Sequence, residues 1–417
     1  MGQISQGWGA GPSADYETLE RRFRGIFNDI RAGAIERERH RVLPRQEVRA
    51  LAQVGFTALR VPKEYGGSGI TLPELFNLLI ELGSADSNVE QSLRAHLGFV
   101  ETVLNTDNLS WREAWLRRIA AGELVGPGRG ETDNRQGTLG TRLFQRDGKW
   151  FVSGSKFYST GLMYADWADV GVTSEDGKPY AVTLRTDSSG VELVDDWNGF
   201  GQRLTSSGTT HYRDVEVDPS NIRPDEDRVP YYQAFYQSLH LANIAGIGRA
   251  VADETAAAVR DRKRSFSSGN APLVRHDPQI LEIVGRLRAA AYGAGAIVLQ
   301  NAQALERVWQ ASRSGDAERT EQARAIADLE IAQSQSLVIE LILDSSTRLF
   351  DALGATSTLP HLGLDRFWRN VRTLATHNPR IYKDRIAGDF AVNDTPAPNQ
   401  WKIGVAEPQT AAQAQAA

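Results

Sequence analysis

The chain contains no cysteine. Disulfides, thiol nucleophiles and cysteine-ligated metal clusters are therefore excluded. It also lacks any uninterrupted apolar run of about 18 residues, so the sequence predicts no transmembrane helix. A large excess of one charge is missing as well: 47 Lys+Arg stand against 52 Asp+Glu, a net charge of −5. That balance argues against nucleic acid or an anionic membrane surface as partners. The opening "MGQISQGWGAGPSAD" has no charged start followed by an apolar block. It does not read as a secretion signal, and the expected compartment is the cytoplasm. Several chemical signatures are absent too. There is no HExxH and no close histidine pair with a carboxylate, so no zinc pattern. There is no P-loop, no GxGxxG after a strand and no GxSxG elbow; "VSGSK" (152–156) has the wrong glycine order and lies in a hairpin.

What is present is ample material for a large core: 417 residues, 41% of them hydrophobic. The two ends, 1–14 and 401–417, are small and polar and read as disordered. Residues 15–123 read as helical, with Leu19, Phe23, Ile26, Phe27 and Ile30 at three- and four-residue spacing. Thr71-Leu-Pro-Glu74 has the form of a helix start. Residues 124–229 change character. Asp147-Gly148 and Asp176-Gly177 each separate two β-rich runs, which predicts a small antiparallel β-domain. Residues 230–400 turn helical again. Asp277-Pro278 is an N-cap with a first-turn proline, and "RSGD" (313–316) is a turn between two long helices. That pair implies an antiparallel helical bundle.

Three stretches leave alternatives open. "GIGRA" (246–250) lies inside a helical pattern, where close helix packing explains the glycines better than phosphate binding. "KFYSTG" (156–161) and "GFGQRLTSSGTT" (199–210) either edge a site or are ordinary turn chemistry. "AAVRDRKRSF" (257–266) carries four cations near a helix end. These either complement the helix dipole or supply one arginine to a phosphate.

Four segments carry a family resemblance: "VPKEYGGSGI" (61–70), "KFYSTG" (156–161), "DDWNGFGQRLTSSGT" (195–209) and "LDRFWRNVRTLATHNP" (364–379). Through them the chain resembles the acyl-CoA dehydrogenase fold over roughly residues 15–395. It is more similar to that fold's flavin-dependent monooxygenase branch, which includes dibenzothiophene monooxygenases and sulfur-acquisition oxidoreductases. The resemblance implies an α+β fold with an N-terminal helical domain, a central antiparallel β-domain and a C-terminal four-helix bundle. A dehydrogenase of this family needs a carboxylate base. One seat for it is Asn378 here, and the other, within 230–252, holds no Asp or Glu.

The branch instead implies a two-component monooxygenase. A separate flavin reductase supplies reduced FMN (FAD being the alternative), which takes up O₂ as a C4a-hydroperoxide. Oxygen then passes to a sulfur or nitrogen centre of a small apolar substrate. An acyl-thioester dehydrogenase or oxidase, or a non-catalytic flavin-binding protein, are the alternative readings.

Position by position, the resemblance gives His377, in His-Asn-Pro, the role of active-site histidine, donating to the peroxide and shuttling its proton near neutral pH. Tyr158, Ser159 and Thr160 match the segment along the flavin edge. Arg264 matches a flavin-phosphate arginine, and Arg372 and Arg369 are further phosphate candidates. Gly354, Ala355 and Thr356 match a loop reaching a neighbouring subunit's flavin, which implies a homotetramer. His96, Trp197 and Phe200 are expected on the substrate side. Ala95 and Pro127 stand where the branch carries a tyrosine and an asparagine, and these departures leave the substrate open.

Overall fold

The structure is a computed structural model that describes residues 7–132, 134, 137–225, 229–399 and 403–405. The outermost parts of the expected disordered ends, 1–6 and 406–417, lie outside the described residues. Five helices come first: α1 (Tyr16–His40), α2 (Arg45–Gln53), α3 (Leu72–Ala85), α4 (Ser87–Asn105) and α5 (Leu109–Ala120). Five more follow the strands: α6 (Tyr232–Asp261), α7 (Pro278–Arg313), α8 (Ala317–Leu353), α9 (Asp365–Thr376) and α10 (Ile381–Asn393). No helix among the described residues is long and apolar enough to cross a membrane.

Contacts group the chain into two units. One holds the residues up to Arg94, Asn198–Thr205 and Pro230–Ala397; the other holds Ala95–Trp197, Ser206–Val229 and the residues from Pro398. In the helical unit, helices from both ends of the chain share one core. α3 is buried on nearly every face, through Leu72, Leu75, Phe76, Leu78, Leu79, Ile80 and Leu82. It packs on α6, itself buried almost without interruption from Ala234 to Ala252. α7 and α8 form the long antiparallel pair that the sequence predicts, with the turn between Arg313 and Ala317. Asp277 caps α7 by accepting the Gln279 N–H at 3.0 Å. Thr71 and Glu74 form a reciprocal capping box at the start of α3.

Gly246 explains how α3 and α6 come so close. A Cβ there would stand 2.6 Å from the Ile80 carbonyl oxygen and 2.7 Å from Gly83 backbone carbon. The "GIGRA" glycine is thus a packing glycine, as its helical setting suggests.

Among the described residues the second unit is built on eight strands: β1 (Val125–Gly128), β2 (Arg142–Arg146), β3 (Lys149–Lys156), β4 (Trp167–Ser174), β5 (Pro179–Arg185), β6 (Val191–Leu193), β7 (Thr210–Val217) and β8 (Ile222–Pro224). Their order is β6-β7-β3-β2-β4-β5-β8, with β1 also paired to β4. The β2–β3 hairpin turns at Asp147-Gly148, where the sequence places it. The sheet is mixed rather than wholly antiparallel, because β1 and β2 both run parallel to β4. Parallel neighbours need a long connection, and the β2–β3 hairpin lies within the crossover from β1 to β4. Leu143, Val152, Val170, Val182, Tyr212 and Val215 fill the core on one side of the sheet. Trp115 of α5 meets Trp167 of β4 edge-on at 5.2 Å.

Gly246→Ala should destabilise the protein by roughly 1–3 kcal/mol, since the α3 backbone blocks the new methyl. Gly285 on α7 has nothing within 4 Å of its virtual Cβ. Gly285→Ala should therefore stabilise by about 0.5–1 kcal/mol. Denaturant unfolding of the two variants should give shifts of opposite sign.

Candidate active site

α9 carries the segment that ends in His377. Its buried face is Phe367, Asn370, Val371, Leu374 and Ala375, a helical repeat that seats it on the bundle. The helix stops with His377 as C-cap, because Pro379 disfavours helical backbone at Asn378.

A buried polar network fixes α9 at its middle. Asn370 Oδ1 accepts the Gln202 backbone N–H at 2.6 Å, and Asn370 Nδ2 donates to Ser87 Oγ at 3.1 Å. Gln202 Nε2 donates to the same Ser87 oxygen at 3.2 Å. The Leu204 N–H donates to Asn88 Oδ1 at 3.1 Å, and Asn243 Nδ2 donates to the Ser87 carbonyl at 2.8 Å. Arg369 pairs with Glu38 at 2.7 Å and donates to the Phe200 carbonyl at 2.8 Å. A Cβ on Gly201 would fall 2.1 Å from the Arg369 carbonyl oxygen, so only glycine fits. The "GFGQRL" stretch is therefore a latch onto α9 and the start of α4, and Arg369 is committed to it. A hollow of about 20 Å³ beside the latch, lined by Glu38, Asp86, Asn88 and Asn370, has room for a water and not for a substrate.

Around His377 the helical unit assembles a compact cluster. Arg94 Nη2 lies 3.2 Å from His377 Nε2. Arginine only donates, so Nε2 accepts and the neutral ring carries its proton on Nδ1. The His240 ring packs against His377 at 4.3 Å between centroids. Arg94 also lies over the Tyr236 ring at 4.8 Å. Burial and the Arg94 guanidinium push the His377 pKa down, to about 3. The His377 side chain still meets solvent, which tempers the burial contribution. The Arg94 charge acts in the same direction, screened in part by that opening, and both favour the neutral ring. His240 is driven the same way, by burial first and then by His377 and Arg94. One turn before Arg94, burial raises the Glu90 carboxyl well above its usual range, against the pull of Arg94 and of a hydrogen bond from Asn243.

The β unit holds a second constellation. Thr160 Oγ1 and Ser207 Oγ are hydrogen-bonded at 2.8 Å, and Thr210 Oγ1 donates to Ser159 Oγ at 2.9 Å. All four residues are buried, as is Ser206, whose hydroxyl has no protein partner. Tyr158 holds φ +59° and Ser206 φ +50°, a left-handed backbone that costs a bulky residue energy. The Tyr158 ring is 55% exposed, with Trp197 edge-on at 6.2 Å. The motif is anchored from behind by the buried Lys156–Glu131 ion pair and by the Phe157 N–H to the Gly130 carbonyl at 2.9 Å.

The other expected residues are placed as follows. His96 is buried, and its Nδ1 accepts the Val125 N–H at 3.2 Å, so it tethers β1. Pro127 lies within β1. Phe200 stacks on Trp368 at 5.9 Å, both rings exposed. Arg372 has a buried Nε without a protein partner. Gly354 ends α8 at φ +74°, and Ala355 and Thr356 beside it are exposed. It is Arg262 that reaches this turn, donating to the Ala352 carbonyl at 3.0 Å, while Arg264 faces solvent. Asn378 is buried, and its carbonyl accepts from Gln335 Nε2 at 3.2 Å. Arg94, Glu90 and His240 were not legible as site residues. Arg94 stands two positions before His96, but nothing local says that it would meet a histidine 283 residues further on.

Family models for the acyl-CoA dehydrogenase N-terminal domain and C-terminal domain match residues 13–123 and 238–379. A dibenzothiophene monooxygenase of Rhodococcus qingshengii is 28% identical over 388 residues, covering 89% of this chain and 92% of its own length. A probable FMNH2-dependent monooxygenase of Pseudomonas putida is 26% identical, covering 90% of this chain and 95% of its own. The structure of a methanesulfinate monooxygenase from Pseudomonas fluorescens superposes with a TM-score of 0.83 at 26% identity, over 91% of this chain and 98% of its own. With two matched domain models in the family's order and a fold shared nearly end to end, the chain belongs to the acyl-CoA dehydrogenase family.

Proposed function

We propose that the protein is a reduced-flavin-dependent monooxygenase of a two-component system, using FMN delivered by a separate reductase and oxygenating a sulfur centre of a small substrate. The observation that carries this reading is His377 held by Arg94 at 3.2 Å, beside a buried amide at Asn378 where a carboxylate base would be needed for dehydrogenation. An acyl-thioester dehydrogenase needs a carboxylate base there. The FMNH2-dependent and sulfur-oxidising relatives support the same chemistry.

The residues present fit FMN. The exposed Tyr158 ring with Trp197 offers an aromatic surface, and the unpartnered Ser206 hydroxyl lies among the hydroxyls of Ser159, Thr160 and Ser207. Ser159, Thr160 and Tyr158 would hold the ring edge. Arg264, Arg372 and the 354–356 turn are proposed for phosphate and flavin contacts, with the solvent-facing members serving a flavin on a second copy in a homotetramer. Reduced FMN, when bound, supplies the electrons that divide O₂ between the substrate and water. His377 donates a hydrogen bond from Nδ1 as a neutral group. Proton shuttling through an imidazolium near pH 7 does not suit a ring whose pKa is pushed far down. The hydroxyl pairs have protons to hold or pass on in the β unit.

Purified protein with a flavin reductase, FMN and ¹⁸O₂ should place label in an organosulfur product, and an unlabelled panel would defeat the proposal. His377→Ala should lower product formation on the order of 100-fold while FMN affinity stays within about twofold, the oxygen appearing as hydrogen peroxide. Ring-nitrogen NMR should find His377 neutral with Nδ1–H from pH 8 down to about 5, and Arg94→Gln should raise its pKa. Its folded pKa lies below the unfolded value of 6.5. The unfolded chain therefore binds the proton first: the stability contribution is complete above pH 6.5 and is lost as pH falls towards about 3.

A further inference from the structure

We infer that residues 7–16 are a pH-sensitive strap on the helical unit, clamped by Trp8 at one end and latched by Glu81 at the other, which closes in mildly acid solution and loosens as pH rises.

From Gly7 to Asp15 the chain forms neither helix nor strand. Side chains hold it instead. The Trp8 ring lies between two guanidinium groups, Arg249 of α6 at 5.1 Å and Arg288 of α7 at 4.2 Å. Each cation is attracted by the face of the indole, so Trp8 joins the strap to both helices. Further along, Ser13 Oγ donates to Glu74 at 2.6 Å and the Tyr16 hydroxyl donates to Glu81 at 2.8 Å. Tyr16 is buried, and the strap crosses its ring closely: a Cβ on Gly11 would stand 2.5 Å from a ring carbon.

Glu81 joins the two ends. The groups that face it are Tyr16, Glu20 and Arg24 of α1 and Arg249 of α6. Arg249 in turn faces Asp253 and Arg288. The guanidinium that grips Trp8 is thus the one that faces the carboxyl holding Tyr16. Burial pushes the Glu81 pKa up to about 7 and Glu20 adds to the rise, against the hydrogen bond from Tyr16 and the charges of Arg249 and Arg24. Burial also raises Asp253, which acts in the same direction. The Tyr16 phenol is itself held well above its ordinary range, so it stays a donor throughout.

Opening the strap returns Glu81 to water and to its ordinary pKa of 4.5. The closed form therefore keeps its proton to higher pH than the open form. Closure is fully favoured below pH 4.5, and that advantage is lost as pH rises to about 7. α6 also carries His240, so the strap braces the helix that backs His377.

Hydrogen exchange of the full chain reads the strap without flavin or substrate, and so independently of the activity proposed above. The amides of Tyr16, Thr18 and Leu19 donate to the Ser13 and Asp15 carbonyls and exchange when the strap and the first turn of α1 open. Protection is measured against the unfolded chain at the same pH, which cancels the intrinsic pH dependence of exchange. Wild type should lose about 30- to 100-fold in protection between pH 5 and 7.5. Glu81→Gln keeps an acceptor for Tyr16 without the charge, and its protection should stay within about threefold over that range. Trp8→Ala and Arg288→Gln should each lower protection by about 2- to 5-fold at every pH and keep the slope. A flat wild-type profile, or the wild-type slope in Glu81→Gln, would overturn the latch. Unaltered protection in both Trp8→Ala and Arg288→Gln would overturn the clamp. Equal changes in the amides of α8 would mean global unfolding and would overturn both.

Discussion

Ser87 is the point on which the helical unit depends. Its hydroxyl accepts from both Asn370 and Gln202, and its carbonyl accepts from Asn243. Four pieces of chain remote in sequence thereby meet at one residue: the start of α4, α6, the 198–205 stretch and α9. Each of these groups is buried, so each unmade bond would leave a desolvated donor or acceptor, at about 1–3 kcal/mol apiece. The penalty for misregistration makes the network a specification of geometry, beyond whatever net stability it adds. Arg94 stands two turns along α4 from Ser87, and His377 two turns along α9 from Asn370. Their contact at 3.2 Å inherits its register from the latch.

The cluster that results works by exclusion of charge. Burial and one guanidinium keep His377 and His240 neutral, and burial drives Glu90 towards the protonated form. Arg94 is left as the fixed charge in a setting of neutral rings. In the β unit the same economy appears in another form. Hydroxyls pair with each other, and the strained Tyr158 backbone presents an aromatic face to solvent while Lys156 and Glu131 secure the strand behind it.

The local elements were readable because their causes are local. Thr71 and Glu74, Asp277 and Pro278, and the Asp147-Gly148 turn act within a few residues of themselves, and each is found where the sequence places it. The glycines of "GIGRA" read as packing glycines because they lie inside a helical pattern, and Gly246 does lie against backbone. The sheet was less legible. Alternation marks strands but not their neighbours, and the two parallel pairings of β4 follow from a crossover that no single strand records.

By itself the sequence determined the order of helices, strands and helices and the placing of one histidine at a helix stop; that Asn378 and 230–252 are carboxylate seats left empty is implied by the family resemblance alone. These depend on residue identity and short-range periodicity. Only the tertiary structure decided that "GFGQRL" is a latch, that Arg369 is engaged in ion pairs, that His96 tethers a strand, and that Arg94 and His240 flank His377. The physical reason is distance along the chain. A guanidinium and an imidazole 283 residues apart leave no mark on each other's neighbours in sequence, and their meeting is set by packing and by buried hydrogen bonds contributed from four separate segments.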